Sequence, residues 1–361
     1  MSAGSALVRH DPAAAVLDRV PLSYGDPVAE YEAFRRHAIV VDRNHRGRMM
    51  LSGPSASTML NGLVTNDIAS LLPGHGCYAV ALSAKGRIIA DLRVFNTSEG
   101  LLVDAPARAF DGWMAVVRKY VNPRSAPYRD VSATLRSIGV FGAQARHVVE
   151  QMTGLNGTAL ALLPSYGFAE AVVEGEVVRI AHVPELGNEG FDLFGSESAI
   201  ALMRERAIEA RATPAGMIAW EVARVEAGRP EFGIDMDDTT IPQEANMDEL
   251  MAISYTKGCY TGQEVVARVH FRGHVNRHLR GLRVAGMEAP PPGATLVDEE
   301  GKAVGDVRSA VSSPALGGIG LGMVRREVNP GTSLRARWEG GEERDVRVDV
   351  VPVPFAVDEE G

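Results

Sequence analysis

The chain has 361 residues, of which 45% are hydrophobic and 23% are charged, a composition typical of a folded globular protein with two or three domains. The net charge of −9 argues against a general nucleic-acid-binding protein, since such proteins usually carry a basic surface. Two cysteines exclude a disulfide framework and are too few to hold an iron-sulfur cluster with four thiolates of this chain alone. The sequence shows no signal peptide and no run of eighteen apolar residues, so we expect a cytoplasmic protein with no membrane partner.

Helices and strands alternate through the first two thirds of the chain. Residues 26–37 have the apolar spacing of an amphipathic helix, and the strand-like run 39–41 follows at once. A similar order of strands and helices recurs in residues 132–200, after Pro123 and Pro127 interrupt the chain. This alternation predicts an α+β fold with two lobes.

The functional prediction depends most on residues 257–264, which read KGCYTGQE. Thr261 and Glu264 have the S/T-x-x-E spacing of a capping box and predict a helix whose N-cap is Thr261. Cys259 then lies just before the positive end of that helix and near Lys257, and both features favour a thiolate. The alternative interpretation is that Cys259 is a small buried apolar residue.

This octapeptide resembles the signature of the YgfZ family, the folate-binding relatives of the glycine-cleavage T-protein, an aminomethyltransferase. The match extends upstream through residues 241–246 and downstream through VVARVHFRGHVNRHLRGL. The resemblance covers nearly the whole chain after about residue 22. It implies an α+β, T-protein-like fold of two folate-binding lobes followed by a C-terminal antiparallel β-barrel. The other members of the motif are Gly258, Tyr260, Gly262, Gln263 and Glu264.

The chain is predicted to divide into three parts. An N-terminal arm covers residues 1–22, a folate-binding domain covers residues 23–275, and its two lobes divide near residues 123–130. Residues 276–361 contain short alternating apolar segments separated by glycine turns, which predict the barrel.

The resemblance implies tetrahydrofolate, or a one-carbon derivative of it, as the cofactor. Asn66 lies in a segment similar to the Asn-Asp segment of the T-protein, and Asp91 lies in a similar strand. Ala90 replaces the first of two adjacent aspartates found there, the one expected near the reactive folate nitrogens. An alanine exchanges no proton, so aminomethyl transfer is not the expected chemistry.

Three further residues are folate-binding candidates. Asn188 replaces an acid that faces the pterin in the T-protein. Because an amide is a poorer partner for two donors, we expect this contact to weaken or to pass to Glu189. Arg224 suits the carboxylate tail of folate or the pocket floor. Its alternative is an ion pair with Glu221 or Glu226.

No metal site is predicted. His270, His274 and His278 are spaced to align on a helix, but Gly273 is expected to end that helix first. Four arginines make residues 268–280 the most basic window of the chain. An anionic partner, for example RNA, is compatible with this window.

The resemblance implies a tetrahydrofolate-binding accessory factor that matures or repairs iron-sulfur enzymes, with Cys259 and Lys257 as its reactive pair. Its expected partners are folate and iron-sulfur client or assembly proteins. The first alternative is an enzyme, a folate-dependent aminomethyltransferase or demethylase, and Ala90 argues against it. The second is a tRNA-modification factor. On balance the sequence argues against an aminomethyltransferase. If the protein is an enzyme, we expect a folate-dependent one-carbon transferase.

Overall fold

The computed structural model describes residues 20–339 and 343–356. The bounds of its α-helices are α1 Pro27–Arg36, α2 Ala56–Asn61, α3 Ala107–Tyr120, α4 Ala145–Thr153, α5 Gly157–Ala161, α6 Glu197–Glu209, α7 Met217–Glu226 and α8 Gln263–Arg272. A short 3-10 helix covers Pro242–Ala245. None of the helices within the described residues is long and apolar enough to cross a membrane.

Seventeen strands form three sheets among the described residues. Their bounds are β1 Ile39–Asp42, β2 Gly47–Leu51, β3 Gly76–Leu82, β4 Ile88–Thr97, β5 Gly100–Ala105, β6 Tyr128–Asp130, β7 Arg136–Phe141, β8 Phe168–Val173, β9 Glu176–His182, β10 Gly190–Gly195, β11 Thr213–Ala215, β12 Arg277–Val284, β13 Thr295–Val297, β14 Ala303–Ser313, β15 Gly317–Arg325, β16 Ser333–Glu339 and β17 Glu343–Val351.

The first sheet has five strands in the order β3-β4-β5-β2-β6, and all its pairs are antiparallel. Helices α2 and α3 cover one face of this sheet. Trp113 of α3 is fully buried there in an apolar cluster with Leu92 and Val94 of β4. The helices form because apolar residues of α3 recur at helical spacing and bury one side of it.

The second sheet has six strands in the order β11-β1-β7-β10-β9-β8. Strand β1 pairs antiparallel with β7 and parallel with β11, although β2, the next strand along the chain, belongs to the first sheet. The four residues between them, 43–46, therefore cross from one sheet to the other. This crossing places Arg43 and Arg46 at the junction of the two lobes.

The third sheet is a closed antiparallel barrel in the order β12-β15-β14-β13-β16-β17. Helix α7 contacts β14 and β15 of the barrel as well as α1. Every residue of α7 is buried, including Glu221, Arg224 and Glu226. The prediction of an α+β fold with two lobes and a C-terminal barrel is confirmed, and α7 is the element that joins the lobes to the barrel.

Candidate functional site

The two faces of strand β4 lie in different environments, one apolar and one polar. Ala90, Leu92 and Val94 lie in the apolar core beneath helix α3. Side chains alternate along a strand, so Asp91 and Arg93 point to the opposite face, toward the second sheet. The Tyr78 hydroxyl donates to Asp91 Oδ2 at 2.9 Å on that face.

Arg93 lies at the centre of a buried network of charges. Its guanidinium donates to Asp104 of β5 at 2.7 Å, to Asp192 of β10 at 2.6 Å and to Glu185 at 3.0 Å. Arg43 donates to the other oxygen of Glu185 at 2.7 Å. The network joins both sheets, because β4 and β5 belong to the first and β10 to the second.

Three arginine side chains lie close to the Asp104 carboxylate. Arg46 donates to it at 2.6 Å, Arg93 contacts the same oxygen, and Arg48 approaches its second oxygen at 3.4 Å. Burial alone would raise the pKa of Asp104, but these guanidinium groups hold the pKa of this carboxyl well below its usual range. Such buried ion pairs are costly to break, since removal of one partner leaves an uncompensated charge.

A small cavity of about 40 Å³ lies beside this network and has room for a few water molecules. Asp91, Glu231, Arg46 and Trp220 are among its lining residues. Burial raises the pKa of Asp91, and burial together with the charge of Glu221 raises the pKa of Glu231 to about 7. The cavity therefore brings together two carboxyl groups that are easier to protonate than usual.

Four buried polar atoms of the cavity lining have no hydrogen-bond partner among the described residues. They are Asp91 Oδ1, Arg43 Nε, His45 Nδ1 and Arg108 Nη1. Burial and the neighbouring arginines lower the pKa of His45 well below its ordinary value, which favours the neutral imidazole. Since buried polar atoms are normally paired, a polar ligand or water is expected here.

A larger cleft of about 380 Å³ adjoins the cavity. Arg229 lines both spaces. Its guanidinium lies 4.1 Å from the centre of the Tyr78 ring and donates to the Tyr166 hydroxyl at 2.9 Å. The Tyr78 and Tyr166 rings are nearly parallel, with an interplanar angle of 13°. The cleft thus offers aromatic surface and a cation, and Leu250 and Met251 are also among its lining residues.

Comparison with known proteins identifies the two parts of the chain. Residues 19–255 match the GCVT N-terminal domain, and residues 277–356 match the glycine cleavage T-protein C-terminal barrel domain. The first match alone spans more than half of the chain. The chain belongs to the glycine cleavage T-protein family.

Its relatives within this family support the assignment. An aminomethyltransferase of Nostoc sp. is 30% identical over 307 residues, which cover 82% of this chain and 79% of that protein. An aminomethyltransferase of Rubrobacter xylanophilus is 28% identical over 337 residues, 93% of this chain and 88% of that protein. The crystal structure of the glycine cleavage system aminomethyltransferase T from Bartonella henselae has the same fold, with a TM-score of 0.84 at 23% identity, and covers 95% of this chain and 93% of that one.

These comparisons correct the functional prediction. The predicted role in iron-sulfur maturation is wrong, because relatives that cover most of this T-protein family chain are named aminomethyltransferase. The comparisons favour the alternative of a folate-dependent aminomethyltransferase. They do not support the prediction against an aminomethyltransferase. Membership of the T-protein superfamily is confirmed, and tetrahydrofolate is the substrate or cofactor of this family. The matches identify neither the YgfZ branch, nor iron-sulfur clients, nor tRNA.

The physical basis of the wrong prediction is the direction of one side chain. The sequence argument placed the catalytic carboxylate at position 90, but Ala90 is completely buried in the apolar core. Asp91 is the residue that reaches the cavity. Asp91 therefore supplies a carboxyl group to the cavity, whereas position 90 does not face it.

The KGCYTGQE segment packs on the tip of the β3–β4 hairpin, away from the cavity lining. Gly262, with φ of +81°, caps α8, and a Cβ there would lie 2.6 Å from the Ser83 carbonyl oxygen. The prediction of Thr261 as the N-cap is wrong, since the left-handed Gly262 takes that place and Glu264 pairs with Arg268 instead.

Lys257 and Cys259 lie in different surroundings. The Lys257 ammonium donates to the backbone carbonyls of Asn61, Val64 and Asn66 at 2.6 to 2.8 Å, and burial lowers its pKa to about 8. Cys259 is exposed, so the alternative of a buried cysteine is wrong. Apart from Gly258 and its two chain neighbours, no described residue has a heavy atom within 4 Å of a Cβ built on Gly258. Tyr260 is buried and Gln263 is the first residue of α8.

The side chains of Asn66 and Arg224 form hydrogen bonds within the protein. The Asn66 amide donates to the carbonyls of Tyr78 and Met251. All five donor positions of the Arg224 guanidinium are used within the protein, and its ion pair with Glu221 at 2.8 Å is the alternative that the sequence left open. Its other partners are the Arg229 carbonyl, Asp235 and Ser309.

Asn188 and Glu189 lie outside the lining of both the cavity and the cleft. Glu189 forms an ion pair with Arg146 of α4. The acid that reaches the cavity from this segment is Glu185, three residues before Asn188. The sequence contains a signal for the residues that were missed. Asp104 and Asp192 are single charges inside otherwise apolar strands, and Arg93 lies two residues after Asp91 in the largely apolar β4. Buried charges require partners.

Proposed function

We propose that this chain is a folate-dependent one-carbon transferase of the aminomethyltransferase type, with Asp91 as the group that exchanges a proton at the reacting centre. The surroundings of Asp91 carry this proposal. Its Oδ2 accepts from Tyr78, while Oδ1 is buried at the cavity with no hydrogen-bond partner in the described ranges. Burial raises the pKa of this carboxyl, which brings it closer to that of an effective acid-base group at neutral pH.

The cleft fits tetrahydrofolate in size and lining. Its volume of about 380 Å³ is in the range of small-molecule sites, roughly 300 to 1,000 Å³. Tyr78, Tyr166 and Leu250 would hold the aromatic parts of the molecule, and Arg229 would provide a cation at the inner end. The cavity beside Asp91, at about 40 Å³, is too small for the folate rings and suits only the small group that is transferred.

Tetrahydrofolate, when bound, supplies nitrogen atoms that take up the one-carbon unit. The chain contributes the surroundings of that exchange. Asp91 accepts or returns a proton through Oδ1, and the Tyr78 hydroxyl favours its ionised form by hydrogen bonding to Oδ2. Trp220, which lies 3.9 Å from the Arg43 guanidinium, closes one wall of the cavity and limits the access of water.

We also propose that the chain belongs to the YgfZ branch of this family. The resemblance of residues 257–264 to the YgfZ signature supports membership of that branch. The exposed Cys259 has no part in the transfer proposed here, because the segment lies outside the lining of the cavity and the cleft.

The experiment is a comparison of the wild type with Asp91→Asn, using tetrahydrofolate binding by titration calorimetry and one-carbon transfer. The amide has nearly the same shape, so we expect folate binding to change little and transfer to fall by about 10² to 10⁴. Asp349→Asn, a change at an exposed carboxylate of the barrel, is the matched control. Undiminished transfer by Asp91→Asn, or no folate binding by the wild type, would overturn the proposal.

A further inference from the structure

The three carboxyl groups that line the cavity differ in how their oxygens are bound. Glu185 accepts hydrogen bonds from two arginines, and Asp91 accepts one from Tyr78 at Oδ2. Neither carboxylate oxygen of Glu231 accepts a hydrogen bond from the residues that the structure describes. Since polar groups removed from water are normally paired, the open oxygens of Glu231 indicate a role other than stabilising the fold.

Two cations lie beside Glu231 without reaching hydrogen-bond distance. Arg108 Nη1 is 3.7 Å from Oε1, and Arg224 Nε is 3.9 Å from Oε2. Arg108 Nη1 is itself buried with no hydrogen-bond partner among the described residues. Polar contacts of this length are commonly bridged by water, and the cavity has room for a few water molecules. Glu231 is therefore placed to bind water in the cavity.

The loop after Glu231 fixes its position. The Glu231 amide donates to Asp235 Oδ2 at 3.0 Å, and its carbonyl accepts from the Asp235 amide at 2.9 Å. Arg224 in turn donates to Asp235 at 2.6 Å. Gly233 has φ of +85°, and a Cβ there would lie 2.8 Å from Arg108 Cδ, so this turn requires glycine. The loop thus holds Glu231 and Arg108 together at the cavity wall.

Asp91 and Glu231 differ in the charge state that their surroundings favour. Burial raises the pKa of Asp91, but the Tyr78 hydrogen bond and nearby arginines oppose this rise. Burial, and then the charges of Glu221 and Asp91, raise the pKa of Glu231 to about 7 against the charges of the two arginines beside it. Where the surroundings of two carboxyl groups push their pKa values apart, one can serve as the acid and the other as the base. These surroundings favour a proton on Glu231 and a charge on Asp91.

We propose that Asp91 and Glu231 share one proton through water in the cavity, and that Glu231 supplies this proton to Asp91 and takes it back in each transfer. The inference rests on the proposed transferase function, which assigns proton exchange to Asp91. The proton leaves a Glu231 oxygen for a water molecule, and that water gives a proton to Asp91 Oδ1, so the negative charge passes from Asp91 to Glu231. The Glu231 side chain is 20% exposed, whereas Asp91 is 6% exposed, so Glu231 also connects the pair to solvent. Glu231 acts on the reaction only through Asp91.

The sharing of a proton is tested by ¹³C NMR titration of the glutamate carboxyl groups in the full chain, with no substrate present. The Glu231 signal is the one that Glu231→Gln removes. Because the charge of Asp91 contributes to the raised pKa of Glu231, Asp91→Asn should shift the Glu231 titration to lower pH. Asp349→Asn, at an exposed carboxylate, is the matched control and should leave this titration in place. An unchanged Glu231 titration in Asp91→Asn would overturn the inference.

The role in the reaction is tested by the rate of label transfer from 5,10-[¹³C]methylenetetrahydrofolate to methylamine between about pH 6 and 8. Near the lower pH, Glu231→Gln should be slower than the wild type by about tenfold, less than the loss of about 10² to 10⁴ for a group that exchanges the proton directly. The ratio of the two rates should fall as pH rises through about 7, where Glu231 of the wild type loses its proton. Glu231→Asp should keep part of the wild-type advantage, and Glu205→Gln, at an exposed site of α6, should match the wild type.

Two results reject this role of Glu231 alone. They are a Glu231→Gln variant as fast as a wild type that does transfer the label, and a loss of rate that is independent of pH and equal in Glu231→Asp. Absent transfer by the wild type, or undiminished transfer by Asp91→Asn, rejects the transferase function instead. The NMR titration then decides separately whether the two carboxyl groups share a proton.

Discussion

Ala90 and Asp91 are neighbours in strand β4 and face opposite sides of the first sheet. Ala90 is fully buried in the apolar core under helix α3, whereas Asp91 lines the cavity and binds the Tyr78 hydroxyl. In our proposal Asp91 is the functional acid, because its side chain reaches the cavity. This relationship leads to the first prediction.

Ala90→Asp should destabilise the protein without improving any folate-dependent activity. The new carboxylate would be buried among Leu92, Val94 and Trp113, and burial of an unpaired polar group costs roughly 2 to 7 kcal/mol. Denaturant unfolding measures the change. Ala84→Asp, the same exchange on an exposed turn, should alter the free energy of unfolding by less than about 0.5 kcal/mol. An Ala90→Asp variant as stable as the wild type would show that position 90 is not in the core.

Tyr78→Phe should move the acid limb of the pH-rate profile to higher pH. Burial already raises the pKa of Asp91, and the Tyr78 hydrogen bond opposes this by favouring the ionised carboxyl. Loss of the hydroxyl raises this pKa further, so the active carboxylate is lost at a higher pH. The pH dependence of the transfer rate measures the effect.

Tyr166→Phe is the matched control for that variant. It removes a hydroxyl that accepts from Arg229 and leaves the hydrogen bond between Tyr78 and Asp91 in place. The two variants should therefore differ in their acid limbs. Identical profiles would contradict the role given to Tyr78.

Glu231→Gln should flatten the pH dependence of stability between about pH 4.5 and 7. The pKa of Glu231 is raised from 4.5 to about 7, first by burial. A raised carboxyl pKa contributes stability below the unfolded pKa, and this contribution is lost as pH rises through the folded pKa. At pH 8 the glutamine variant should be more stable than the wild type by on the order of 1 to 3 kcal/mol.

Thermal or denaturant unfolding at several pH values tests this expectation. Glu205→Gln, at an exposed site of α6, should keep the wild-type pH dependence. A wild type whose stability rises between pH 5 and 8 relative to Glu231→Gln would contradict the sign.

Arg224→Gln should lower the free energy of unfolding by roughly 3 to 5 kcal/mol, because it leaves buried acids without their cation. Glu221 and Asp235 pair with this guanidinium at 2.8 and 2.6 Å. The exposed Arg118→Gln serves as the control in the same denaturant series. A small loss of stability combined with weaker folate binding would instead assign Arg224 to the ligand.

The sequence predicted the fold far better than the site. The resemblance and the alternating patterns were enough for two lobes and a barrel. The direction of Asp91 was also readable, since Ile88, Ala90, Leu92 and Val94 alternate with it along β4. That alternation predicts which side chain of β4 faces the second sheet, whereas the number of adjacent aspartates does not.

Other features of the site depend on contacts that no local pattern contains. Arg43, Arg93 and Glu185 come from three distant segments, and they meet because residues 43–46 cross from the second sheet to the first. The cap of α8 was missed for a related reason. Gly262 has φ of +81° because the segment lies against Ser83, and this tertiary contact overrides the local preference for Thr261.

The most direct test of the central claim is label transfer from 5,10-[¹³C]methylenetetrahydrofolate to small amines, followed by NMR for the wild type and Asp91→Asn. We expect the wild type to move the label at a rate at least about 10²-fold above that of Asp91→Asn, with Cys259→Ala indistinguishable from the wild type. Equal rates for the wild type and Asp91→Asn, or loss of transfer only in Cys259→Ala, would contradict the account.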